Sequence, residues 1–438
     1  MLEGKKVLKL VLFLLMFMGV AEPVFPTGYK TLTVVDFITG EPIRGATVTI
    51  NNEMALPDAE NRFTILNAGS VVRVRAPGYL RAEQVFSGPP LPTPQIIKLV
   101  PLTPKALYLS FYGIGERSLR ESALKLIQDT ELNSMVIDVK GDRGWIPYRS
   151  TVPLAAEVGG QRIITVRDAH GLMKSLKGKG IYTIARIVVF KDHPLAMAKP
   201  EWAVRNPLGE VWRDRENLAW VDPFRKEVWE YNIQIAVEAA QMGFDEIQFD
   251  YVRFPDASAP RFSMPNNQEN RVQAISGFLR EAQQRLKPYN VFVAADIFGY
   301  VCWNLNDTNI GQRLDALVPL VDYLSPMLYP SGFMYGIPGY RNPMASPHEI
   351  VYLTLKKAQD RTGLPSIRFR PWLQAFRDYA FDRRRFNGKE IRDQISAANK
   401  FGTQGWMLWN PGNYYKPDGL QREDDPTWLT SLVPFPKI

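Results

Sequence analysis

A single cysteine, Cys302, stands among the 438 residues, so no disulfide can form within the chain. Histidine is almost as scarce. His170, His193 and His348 are the only three and show no ligand spacing, which argues against a histidine-based zinc site. The chain also lacks a Gly-x-Ser-x-Gly elbow and a glycine-rich phosphate loop, so serine-hydrolase and nucleotide chemistries have no signature here. Runs of five or six like charges are missing too. The net charge of +8, from 53 basic and 45 acidic side chains, is a mild excess over this length. It predicts a mixed solvated surface rather than a nucleic-acid groove. No metal and no cofactor are expected.

What is present begins with Lys5, Lys6 and Lys9 ahead of an apolar run over 10–20, then Gly19-Val20-Ala21 and Glu22-Pro23. A basic start, a run too short to span a bilayer comfortably and small residues before a break predict a cleaved secretory signal over 1–21. An uncleaved anchor is the alternative. No cysteine follows the run, which excludes a lipoprotein anchor. Export to a periplasmic or extracellular location is expected, with no stable membrane span after cleavage. The hydrophobic fraction of 45% and charged fraction of 22% are those of a globular protein with room for one large and one small domain.

Residues 28–103 read as all-β. Short β-branched runs at 32–35, 46–50, 62–65 and 71–75 are bounded by Gly, Pro, Asn and Asp, with a last strand expected over 95–100. The pattern Asp36-x-x-Thr39-Gly40-x-Pro42-Ile43-x-Gly45-Ala46-x-Val48, followed by Ala76-Pro77-Gly78-Tyr79, resembles the carboxypeptidase regulatory-like, transthyretin-like β-sandwich. The resemblance implies an accessory, non-catalytic unit. A proline-rich stretch over 89–94 and then Pro101 and Pro104 mark the seam.

From 104 to 438 the texture changes to alternating strand and helix. Candidate strands lie at 106–111, 134–140, 182–190, 246–254, 291–298, 322–329, 368–376 and 405–410. Helix starts are expected at Ser118, Asp168, Asp222-Pro223 and Ser346-Pro347. Eight such units predict a (β/α)8 TIM barrel. A doubly wound sheet is the competitor, and no phosphate loop follows its first strand to support it.

Side chains alternate along a strand, and barrel sites sit at the strands' C-terminal ends. Alternation puts Leu107, Leu109, Ile137, Val139, Ile187, Ile247, Phe249, Val293, Leu324 and Leu328 outward, all apolar. Inward it puts Ser110, Tyr112, Asp138, Lys140, Arg186, Gln248, Asp250, Asp296, Ser325, Tyr329, Gln374 and Trp409. A ring of polar groups converging on one cavity is costly to bury without a task. Asp250 and Asp296 end adjacent strands, so they are the expected catalytic pair. Retaining glycosidases hold two carboxylates about 5–5.5 Å apart, one as nucleophile and one as acid. Asp138, Lys140, Arg186, Gln248, Arg253, Tyr329, Gln374 and Trp409 are the expected substrate-binding set. Loop aromatics, among them Trp145, Trp202, Trp212, Trp220 and Trp303, suit sugar rings, although at least half are expected to pack in loop cores. The longest insertion, 190–222, is expected to serve the site.

The run Phe244-Asp245-x-Ile247-x-x-Asp250-Tyr251-x-Arg253-Phe254-Pro255 resembles the signature of a family of glycoside hydrolase-like barrels of uncharacterised activity, distantly amylase- and chitinase-like. The resemblance covers most of 105–434 and implies a (β/α)8 barrel acting on polysaccharide. Beside the chitinase motif Asp-x-x-Asp-x-Asp-x-Glu the chain shows Asp245, Gln248, Asp250 and Val252, without the terminal glutamate acid. Beside amylase-type barrels, Asp250 falls at the fourth-strand nucleophile and Asp296 replaces the fifth-strand glutamate. The expected function is an exported glycoside hydrolase acting on a polysaccharide or oligosaccharide. The alternative is a non-catalytic carbohydrate-binding barrel of envelope assembly.

Overall fold

Period-two patterning in the first 100 residues produces seven strands in two sheets. The computed structural model describes residues 30–65, 69–86, 94–257 and 260–421. The expected signal over 1–21 and most of the proline-rich stretch lie outside the described residues. Strand β1 (Lys30–Asp36) is flanked by antiparallel β4 (Arg62–Ile65) and parallel β7 (Gln95–Leu99). The second sheet runs β3 (Glu53–Ala55), β2 (Thr47–Ile50), β5 (Ser70–Arg75) and β6 (Ala82–Phe86). Their inner faces share one core of Leu32, Val34, Val48, Phe63, Val72, Val74, Ile97 and Leu99, a β-sandwich. Asn51 and Asn52, at φ 50° and 71°, turn β2 into β3, a hairpin that the sequence reading passed over. The quoted motif has a local cause. Asp36 accepts the Ile38 and Thr39 N–H groups at the turn, and the Tyr79 hydroxyl donates to its other oxygen at 2.9 Å.

Beyond Pro104 eight parallel strands close into a barrel. They are β8 (Lys105–Leu109), β9 (Ser134–Lys140), β10 (Tyr182–Val188), β11 (Glu246–Asp250), β12 (Phe292–Phe298), β13 (Tyr323–Met327), β14 (Trp372–Gln374) and β15 (Trp406–Trp409). All ten residues expected to face outward are buried in one core with the surrounding helices. Helix starts follow local capping chemistry. Asp168 caps Ala169–Gly178 through the Gly171 N–H, and Pro347 opens Pro347–Thr362 after Ser346. Two starts differ from expectation. Glu116, rather than Ser118, caps Arg117–Asp129. Asp222 precedes its helix, Lys226–Met242, by a turn, and its carboxylate instead accepts the Phe224 and Ser263 N–H groups.

The sandwich closes the lower, N-terminal end of the barrel. Gly78 donates its N–H to the Tyr323 hydroxyl at 3.0 Å, and Arg75 pairs with Asp322 at 3.4 Å. Leu80 and Leu102 pack on the lowest inward layer, which includes Ala106, Val136, Tyr182, Phe292 and Tyr323. Within that layer a Glu246–Arg370 ion pair is fully buried, with the Tyr182 hydroxyl donating to Glu246 at 2.9 Å. The barrel floor is therefore sealed by the sandwich.

Candidate active site

Arg186 organises the upper end. Its guanidinium, 1% exposed, donates to Asp138 at 2.7 Å, to Asp142 at 2.7 Å and to Asp250 at 2.9 and 2.6 Å. Three carboxylates surround one cation, a charge-assisted network far stronger here than in water. Trp409 lies 4.8 Å beneath the guanidinium and stacks on Tyr108 at 4.0 Å. Asp138 is wholly occupied, since its second oxygen accepts the Tyr108 hydroxyl and the Phe111 N–H. Burial pushes its carboxyl above the usual carboxylate range, and Arg186 opposes that.

Asp250 and Asp296 come together as the sequence suggests. Phe249 pairs with Ala295, so the two acids follow side by side on neighbouring strands, which run about 4.8 Å apart. Their environments differ. Asp250 accepts two Arg186 N–H groups on one oxygen and the Tyr251 N–H at 2.6 Å on the other. Asp296 has only the Trp372 indole N–H, at 2.8 Å, and its second oxygen is buried without a partner. Burial, then the Asp250 charge, hold the Asp296 carboxyl well above the usual carboxylate range. One acid is charge-paired, and its neighbour is buried with an unpartnered oxygen. Tyr329 closes the same corner. Burial and then the charges of Asp296 and Asp250 push its phenol upward.

The remaining predicted residues divide. Gln248 is fully buried beneath the pair, donating to Ser325 at 3.1 Å with its carbonyl oxygen unpartnered. Arg253 lies over Tyr251, Trp220 and Phe298 at the rim. Gln374 braces the loop after β13, where its side chain bonds Ser331, which in turn donates to Asp378. Lys140 does not reach the mouth. Pairing steps from Arg186 opposite Asp138 to Ile187 opposite Lys140, so a bulge at Val139 turns Lys140 away from the interior. It pairs with Asp192 at 2.5 Å, both fully buried, over the Tyr231 ring. Ser110 and Tyr112 also fall short. Ser110 caps the short helix Phe111–Gly115 and Tyr112 is exposed on it. Among the loop tryptophans, Trp220 is buried against Trp212 and Tyr251, and Trp303 is held by Thr354.

Sequence reasoning missed four contributors. Tyr108 and Trp372 were not singled out, although each donates to a site carboxylate. Asp142, with 39% of its side chain exposed, is the most open carboxylate of the Arg186 network. Gln312 clasps the Asp296 carbonyl and the Phe298 N–H, fixing the end of β12. No periodic signal marks the last two.

Fold and site together define a carbohydrate-active (β/α)8 barrel. The model of the family described as "Putative glycosyl hydrolase domain" matches residues 106–415, and the chain belongs to that family. Among solved structures, the glycoside hydrolase domain of PgaB (BpsB) from Bordetella bronchiseptica is 14% identical over 72% of this chain and 95% of that one, with a TM-score of 0.52. That likeness shows the fold. A hypothetical protein from Ruminiclostridium thermocellum ATCC 27405 is 37% identical over 43% of this chain and 96% of its own, at a TM-score of 0.39. The catalytic domain of β-amylase from Paenibacillus polymyxa is 10% identical over 76% and 98%, at 0.47. No curated protein matches the sequence.

Proposed function

We propose that the chain is an exported glycoside hydrolase that cleaves a polysaccharide with Asp250 as nucleophile or base and Asp296 as acid. The observation that carries this reading is the unequal state of two neighbouring carboxyls. Asp250 is bonded to a guanidinium, whereas Asp296 is buried with one oxygen unpartnered, and burial and the Asp250 charge raise its pKa. Pairs whose surroundings push their proton affinities apart are how one site supplies both roles. Asp296 would protonate the departing glycosidic oxygen through its unpartnered oxygen. Asp250 would attack the anomeric carbon or activate a water beside it. Arg186 would keep Asp250 oriented, and Tyr329 would meet a sugar hydroxyl. Among the described residues no helix is long and apolar enough to cross a membrane.

The test is turnover on a panel of polysaccharides with Asp250→Asn and Asp296→Asn. Each variant is expected to lose about 10²–10⁴-fold in rate while still binding the polymer. Unchanged turnover in Asp250→Asn, or binding with no turnover by the wild type on any polymer, would favour the non-catalytic carbohydrate-binding barrel instead.

A further inference from the structure

We infer that Arg253 forms a subsite for the carboxylate of a uronic acid residue beside the bond to be cleaved. This rests on the hydrolase reading of Asp250 and Asp296 but uses different observations. Arg253 follows Asp250 by three positions, past Tyr251, which holds the unusual φ of 48° for a bulky residue. That turn throws the Arg253 side chain across the upper ends of β11 and β12. Its guanidinium lies 4.6 Å from the Phe298 ring, 4.9 Å from Tyr251 and 5.0 Å from Trp220. Three ring faces hold it in place and leave it only partly exposed.

The lack of a counter-charge among the described residues is the informative point. Two neighbouring cations of the mouth are neutralised. Arg186 has three carboxylates, and Lys191, 5.1 Å above the same Tyr251 ring, is taken by Glu216 at 2.7 Å and Asp214 at 3.4 Å. Arg253 has one protein acceptor among the described residues, the Phe254 carbonyl at 3.0 Å. Asp250, Asp256 and Asp214 act on it only from beyond ion-pair range, and desolvation lowers its pKa. A partly desolvated guanidinium with no ion-pair partner among the described residues keeps N–H groups free for an arriving anion. The planar fork of a guanidinium matches a carboxylate through two parallel N–H bonds. Tyr251, partly exposed, leaves an apolar edge that suits the C–H face of the same sugar ring, with Trp220 buried behind it. The rim thus has two poles, an acidic one around Arg186 for the reacting bond and a cationic one at Arg253 for the neighbouring residue.

The test is affinity electrophoresis of the full chain through gels holding polygalacturonate, alginate or an unsulfated glucuronate polymer. Each polymer is paired with its carboxyl-reduced, neutral form, and dextran sulfate is run beside them. At least one uronate polymer should retard the protein, and its reduced form should bind about 10- to 100-fold more weakly. Arg253→Gln should lose the same increment, and Arg253→Lys should recover part of it. Equal retention by a polymer and its reduced form, undiminished binding by Arg253→Gln, retention by dextran sulfate alone, or no retention by any uronate polymer would each overturn the subsite. The wild-type comparison of native and reduced polymers stands even if the glutamine variant folds poorly. Asp250→Asn separates the two readings, because it should keep the uronate-dependent retention whether or not hydrolysis is found.

Discussion

Asp296 ties the chemistry to the stability of the chain. Its carboxyl holds a proton in the folded state at pH values where an unfolded aspartate, with a pKa of about 3.9, has lost it. Between those two values the folded state binds more protons, so stability falls as pH rises through the window. Asparagine cannot ionise and still accepts the Trp372 N–H. Asp296→Asn should therefore gain on the wild type as pH climbs from 4 to 8 in denaturant titrations. Parallel pH slopes for the two proteins would contradict a raised carboxyl. Activity should decline on the alkaline side as Asp296 loses its proton. Lys140 makes the opposite case, since burial lowers its pKa and its whole role is the pair with Asp192. Lys140→Met should destabilise by about 3–5 kcal/mol, the cost of stranding a buried carboxylate. The folded fraction should keep its affinity for polysaccharide; a selective rise in KM without loss of Tm would return Lys140 to the binding set.

At the scale of elements, the strands were legible because alternation and apolar outward faces agreed along the first six barrel strands, the end of β9 excepted. Asp250 and Asp296 reached the mouth because their strands run regularly to those positions, Asp138 and Arg186 because they precede the bulge, and Tyr329 lies two residues past the end of β13. Lys140 did not, because one extra residue at Val139 reverses the parity on which the reading depends. Tyr108 and Trp372 were hidden for a chemical reason. Each is apolar in body and polar at one tip, and only the fold reveals which carboxylate that tip meets. Asp142 and Gln312 sit on loops, where neither period nor spacing speaks. The Asn51-Asn52 hairpin was readable in principle, since two left-handed residues in a row suit that turn.

On the scale of the whole molecule, sandwich and barrel are joined through the barrel floor as well as through the chain. Gly78, at φ 96°, carries its N–H to Tyr323, and a Cβ there would approach the Gln404 side chain to 3.4 Å. Gly78→Val should cost about 1–3 kcal/mol through the backbone conformation alone. A single, lowered melting transition is expected by calorimetry, because Tyr323 and Leu80 belong to a layer shared by both units. Two resolved transitions would mean that the units unfold independently. The shared floor also constrains any attempt to transplant the barrel. Excised at Pro104, it would present Phe292, Tyr323 and the Glu246–Arg370 pair to water through an uncorked base, so a graft must bring its own stopper or repaint that surface.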